Sequence, residues 1–181
     1  QLLLEKGADV NVQGAYYGNA LQAASFSGNH ATVQLLLEKG AKVNAQGGYF
    51  GNALQAASWR GNNATVQLLL EKGADVNAQG GGYGNALQAA SSSGKYATVQ
   101  LLLEKGAEVN VQGGRYNNAL NAASEGGHHH IMKLLLQNGA IKVSTSSLGN
   151  NIKTPEDHSH DGKDAESIPG EEEGIPGDDE I

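Results

Sequence analysis

The apolar positions of this chain follow a pattern that recurs at a fixed interval. Leu-Leu-Leu-Glu-Lys-Gly-Ala begins at Leu2, Leu35, Leu68 and Leu101, and a variant, Leu-Leu-Leu-Gln-Asn-Gly-Ala, begins at Leu134, so that every step is 33 residues. Whole units then run 8–40, 41–73, 74–106 and 107–139, preceded by a partial unit over 1–7. A sustained period in this range predicts a solenoid, in which each unit buries its apolar face against its neighbours because it cannot do so alone.

Within a unit the polar positions punctuate two helices. Asn19 can accept a hydrogen bond from the unpaired amides of a first turn, which makes it a good N-cap. Three residues on, Gln22 can reach back to the cap, and Asn52/Gln55 and Asn85/Gln88 repeat this capping-box spacing, with Asn118/Asn121 a weaker fourth copy. Leu21, Ala24 and Ser25 share a face at helical spacing, with side chains small enough for a neighbouring helix to come close, and Gly28 ends the helix. A second helix over about 30–39 places Ala31, Val33, Leu36 and Leu37 inward, with Leu35 widening the apolar stripe. Gly40 suits a left-handed cap. Val43 through Tyr49, Gly-rich at its centre and aromatic at its end, predicts an extended, hairpin-like turn between helix pairs.

Composition narrows the function classes. The chain has 26 Gly but 3 Pro, so the glycines mark spaced turns, in neither a collagen-like nor a Pro-rich pattern. It has no Cys, hence no disulfide framework and no thiolate site, which suits a cytoplasmic chain. The longest pure apolar runs are triplets, far below the roughly 20 residues of a membrane span. Beyond Ala140 the repeat stops. Residues 141–181 carry three Lys against eleven Asp and Glu, with one Leu and no aromatic residue, and this composition predicts a disordered acidic tail. The repeats themselves are close to neutral and lack the basic stripe that nucleic-acid binding requires. No phosphate-cradling Gly-x-x-x-x-Gly-Lys-Ser/Thr and no His-Glu-x-x-His is present. Glu5, Glu38, Glu71 and Glu104, each followed by Lys, recur at one helix-end position and read as a solvated edge. Consecutive imidazoles such as His128-His129-His130 diverge by about 100° on a helix, so they do not converge on one ion, and no metal or cofactor is assigned.

The paired helices, the Gly turn, the Leu-Leu-Leu-x-x-Gly-Ala-x-Val-Asn segment and the projecting turn, all at 33 residues, resemble the ankyrin repeat over residues 1 to about 140. The Asn-Ala-Leu-Gln wording is similar to repeat arrays of large multidomain fungal proteins. The resemblance implies an all-α ankyrin-repeat solenoid of stacked helix-turn-helix units with projecting hairpin-like turns, monomeric within a larger chain and working as a non-catalytic protein-binding module. Asn19-Ala20-Leu21-Gln22 replaces the family's usual Thr-Pro-Leu-His, so an Asn/Gln box stands in for its Thr to His hydrogen bond. Gly14 and Tyr17 stand where the family has Asp and Gly. His128 follows Gly where the family commonly carries a Gly-His pair.

A binding surface has no reason to be periodic, so the columns that vary are the candidates. In the turn these are Tyr16, Tyr49, Gly82 and Arg115; at the end of the first helix, Phe26/Ser27, Trp59/Arg60, Ser92/Ser93 and Glu125/Gly126; opening the second helix, His30, Asn63, Tyr96 and His129. The first two groups match the family's usual ligand face. Aromatic and Arg side chains dominate interface hot spots, which selects Tyr16, Phe26, Tyr49, Trp59, Arg60 and Arg115, with Ser92 at the next step. Trp59 is expected to contribute to binding and little to stability. Tyr17, Phe50, Tyr83 and Tyr116 are aromatic in every unit and are assigned to packing of turn on turn. Two further readings stand beside a binding module: the sensing end of a larger enzyme or nucleotide-driven switch whose catalytic part lies upstream of residue 1, and a plain spacer. Residues 1–7 are expected to fray, and Thr154 before Pro155 is a candidate phosphorylation site.

Overall fold

The computed structural model describes residues 7–14 and 16–141; the expectations for the first turn of the chain, for the acidic tail and for Thr154 lie outside them. Among the described residues there are eight helices and no strand. They are α1 (Ala20–Ser27), α2 (His30–Glu38), α3 (Ala53–Arg60), α4 (Asn63–Glu71), α5 (Ala86–Ser92), α6 (Tyr96–Glu104), α7 (Ala119–Glu125) and α8 (His129–Gln137). Each odd helix pairs with the even helix that follows. First helices stack on first helices, α1 on α3 on α5 on α7, and second helices follow in parallel, α2 on α4 on α6 on α8. The first-helix stack is the tighter one. Its contact faces are Ala and Ser, which let backbones approach.

The caps form as the polar spacing predicts. Asn19 is an extended N-cap whose Oδ1 accepts from Gln22 N at 2.9 Å, while Asn19 N donates to Gln22 Oε1 at 2.8 Å, a complete capping box. Asn52, Asn85 and Asn118 make the first of these bonds to Gln55, Gln88 and Asn121. At the end of α2, Gly40 takes a left-handed conformation (φ +87°), Ala41 N donates to Leu36 O at 2.9 Å and Gly40 N to Leu37 O at 3.1 Å. These two bonds satisfy carbonyls that the helix end would otherwise orphan.

The main core runs the length of the stack through Leu21, Leu54, Leu87 and Leu120 of the first helices and Val33, Leu36, Val66, Leu69, Val99, Leu102, Ile131 and Leu135 of the second. Fully burying one such side chain stabilises by about 1.5–3 kcal/mol, so the fold rests on the sum over units. One inward assignment is corrected: Ala31 is exposed, as are its equivalents Ala64 and Ala97. With Val33 and Leu36 fixed inward, a residue two positions before Val33 lies roughly 200° round the helix and faces out. The buried partner is Thr instead, at Thr65 and Thr98, and Thr98 Oγ1 donates to Asn63 Oδ1 at 2.6 Å in the preceding unit.

Two further sets of polar side chains tie unit to unit. Asn11, Asn44, Asn77 and Asn110 donate through Nδ2 to the carbonyls of Gly40, Gly73, Gly106 and Gly139, at 3.2, 3.0, 3.2 and 2.9 Å. Their Oδ1 atoms accept from the backbone amides of Lys42, Asp75, Glu108 and Ile141. Gln22 Nε2 donates to the carbonyls of Ala45, Gly47 and Gly51 at 3.1, 3.2 and 2.9 Å. Gln55 reaches Ala78 and Gly84, and Gln88 reaches Val111 and Asn117, in the same way. The Gln of the box therefore does more than cap its own helix: it holds the next unit's turn.

Candidate protein-binding face

The turns of the second, third and fourth units are short hairpins, each closed by one bridge, Gly47 to Gly51, Gly80 to Gly84 and Gly113 to Asn117. The tips are then linked in register, Tyr49 N to Tyr16 O at 2.7 Å, Gly82 N to Tyr49 O at 2.9 Å and Arg115 N to Gly82 O at 3.0 Å. Glycine makes this approach possible. Gly48, Gly81 and Gly114 have φ near +60°, and a Cβ on any of them would lie within 2.4 Å of the preceding tip's backbone. The hydrogen-bonded tips set the side chains of successive turns one above another.

Three columns result. The middle one, Tyr17, Phe50, Tyr83 and Tyr116, is the floor. Phe50 is 3 % exposed and Tyr83 7 %, stacked on each other with centroids 6.0 Å apart, and Tyr116 continues the line 6.2 Å from Tyr83. Its assignment to packing holds in the interior, whereas Tyr17 stays 42 % exposed. On one side lies the tip column, where Tyr16 and Tyr49 stack in parallel at 5.5 Å. On the other lies the helix-end column, where Phe26 and Trp59 stack at 5.7 Å and the Arg60 guanidinium sits over Phe26, 5.1 Å from the ring centre. The floor joins them, since Phe26 lies 5.1 Å from Tyr17 and 5.0 Å from Phe50, and Tyr49 lies 5.4 Å from Phe50. Tyr16, Phe26, Tyr49, Trp59 and Arg60 are thus brought onto one continuous face.

Trp59 requires a correction. It is half-buried, 5.8 Å from Phe50 and 6.3 Å from Tyr83, and belongs to a second apolar cluster with Phe50, Tyr83, Ala56 and Ala89. An indole stacked on the rim at Phe26 and tilted against the floor at Phe50 and Tyr83 stabilises the fold, so the expectation that its loss leaves stability untouched does not hold.

Downstream the face changes character. Gly82 leaves the tip column bare, and at the next step the Arg115 guanidinium lies 5.0 Å from the Tyr116 ring centre. The polar pull of the neighbouring Tyr49 hydroxyl is the main influence raising the Arg115 guanidinium above its ordinary range. Tyr83 is raised far above the usual tyrosine value, by burial first and by neighbouring Tyr49 second. Burial likewise raises Tyr16 and Tyr116. Ser92 is half-buried, its Oγ donating to Ala89 O at 3.0 Å and its carbonyl 3.1 Å from His128 Nε2. The His128 ring is held there against Gly94 and Gly126, while His130 lines a groove between α6 and α8 with Tyr96, Lys133 and Leu134. The histidine run is therefore split between an inter-unit contact and the outer helices.

A helical-repeat solenoid whose turn tips and first-helix ends bring non-repeating side chains onto one face is the class of molecule this geometry defines. A family model for ankyrin repeats (3 copies) matches residues 1–80, 50–113 and 86–158, and the chain belongs to the ankyrin-repeat family. Ankyrin repeats are in general protein–protein interaction modules and are typically non-catalytic. No curated protein matches the chain. Among the described residues no helix is long and apolar enough to cross a membrane.

Proposed function

We propose that this array is a recognition module that binds another protein through the face made by the turn tips and first-helix ends, with Tyr16, Phe26, Tyr49, Trp59, Arg60, Ser92 and Arg115 as its contact residues. The observation that carries this reading is the contrast between a periodic floor and non-periodic rims. Most of what stacks the units repeats, and the departures in the turns and first helices that exchange aromatic, charged and small residues fall on the two rims, where aromatic and Arg side chains are only partly covered. Flat aromatic surface with guanidinium groups at hand is the composition of interface hot spots.

The test is selection of ligands from a random 12-residue peptide display on the full chain. Enriched peptides are expected to lose at least ten-fold in affinity on Tyr16→Ala and on Trp59→Ala, and to bind Tyr96→Ala, on the outer helices, as wild type. Binding that survives the first two substitutions and fails with the third would move the site to the groove between α6 and α8.

A further inference from the structure

The rims carry few charges, and two of the three are positive. In residues 12–28, 45–61, 78–94 and 111–127, which make up the turns and first helices, the only charged side chains are Arg60, Arg115 and Glu125. The other charges of the array lie on the second helices and the loops around them, where Lys and Glu alternate. Neither Arg is a loose surface charge. Arg60 rests over Phe26, and Arg115 rests over Tyr116. Gly82 leaves the step between them open: a Cβ there would already lie 3.3 Å from the Tyr49 ring. A guanidinium laid on a ring loses less freedom on binding and keeps its outer N–H groups in the fork that matches a carboxylate.

We infer, on the proposed reading that this face binds protein, that its occupant is an extended acidic segment whose carboxylates pair with Arg60 and Arg115 while its apolar side chains lie on the Tyr16–Tyr49 and Phe26–Trp59 stacks. Stacked helices lie about 8–10 Å apart, so the three steps from Tyr16 to Arg115 cover some 24–30 Å, the reach of about seven to nine extended residues. Glu125 closes the downstream end against a further carboxylate. A polynucleotide also offers anions and flat rings, but two Arg and no Lys over this length are too few for a phosphate backbone, whose binding scales with the number of cations that meet it.

The peptide selection described above also tests this inference. Enriched sequences are expected to be rich in Asp and Glu, to lose about ten-fold in affinity on Arg60→Gln or Arg115→Gln, less on Arg115→Lys, and to bind more weakly as salt rises from 50 to 300 mM. Both Arg are exposed, and circular dichroism of each variant checks that the fold is kept. Enriched peptides without an acidic bias, or affinities indifferent to the Gln variants, overturn the inference. If such peptides still lose affinity on Tyr16→Ala, the binding face stands and only the acidic specificity falls. Indifference to all these substitutions, or no enrichment at all, counts against both. Displacement of the peptide by an equal concentration of a 12-nucleotide single-stranded DNA would also overturn the choice of a polypeptide. Fluorescence of Trp59, the single Trp of the chain, reads occupancy directly with Trp-free peptides.

Discussion

The upstream and downstream halves of the face share a backbone and differ in what covers it. Turns at 45–50 and 78–83 close with the same bridge, follow the same register and receive the same Gln from the unit before. Yet upstream the rims are Tyr16, Tyr49, Phe26 and Trp59, stacked ring on ring, while downstream they are Gly82, Ser92, Ser93, Arg115 and Glu125. Placement and chemistry are therefore specified separately. Amides and small residues set where a rim side chain will stand, and its identity is left free for a ligand to select.

The sharpest way to break this comparison is at the floor. Phe50→Ala removes a buried ring that touches Phe26, Tyr49, Trp59 and Tyr83, and is expected to cost about 3–5 kcal/mol in urea denaturation of the full chain. Tyr116→Ala, half-buried in the downstream half, should cost less than half as much. Equal losses would mean that the aromatic cluster is not centred upstream.

Next comes the inter-unit Gln. Gln55→Ala strips the carbonyls of Ala78 and Gly84 of a buried donor and is expected to cost about 2 kcal/mol. Asn121, one methylene shorter in the last unit, donates to Asn118 Oδ1 through its backbone amide, a bond that alanine keeps, so Asn121→Ala should change stability by less than about 0.5 kcal/mol. A cost at Asn121 equal to that at Gln55 would show that the reach to the next unit's carbonyls is not what the Gln supplies.

A smaller effect of opposite sign is expected in the first-helix stack. Ser25, Ser58 and Ser91 are buried with hydroxyls that find no hydrogen-bond partner. Removing an unpaired buried polar atom relieves its desolvation cost, so Ser58→Ala should raise stability by about 1 kcal/mol, seen as a higher Tm. A drop in Tm would reveal a partner for the hydroxyl, such as a bound water.

The smallest effect is pH dependence. Tyr83 has a folded-state pKa above its ordinary value of 10.0, because burial disfavours the phenolate. Above that ordinary value the unfolded chain releases a proton that the folded chain retains, so this contribution is complete below pH 10 and is lost as pH rises further. The fall in Tm between pH 9 and pH 11 should be shallower in Tyr83→Phe than in wild type. An unchanged slope would place Tyr83 in contact with water.

Period, caps and core follow from the residue pattern itself, because each is local: Asn19 and Gln22 are three residues apart, and Leu21 and Val33 sit on faces set by helical geometry. The aromatic column of the turns was legible for the same reason, as its constancy from unit to unit marks a shared neighbour. What the pattern left open was decided across units. Gln22 became an inter-unit tie because the turn of the following unit brings the carbonyls of Ala45, Gly47 and Gly51 within reach of its Nε2. Trp59 passed from free surface to half-buried rim because Phe26, Phe50 and Tyr83 come from three different units. Apart from Trp59 and Phe50, such contacts join residues 23 to 33 positions apart, and no local propensity encodes them; they exist only once the units have stacked in register.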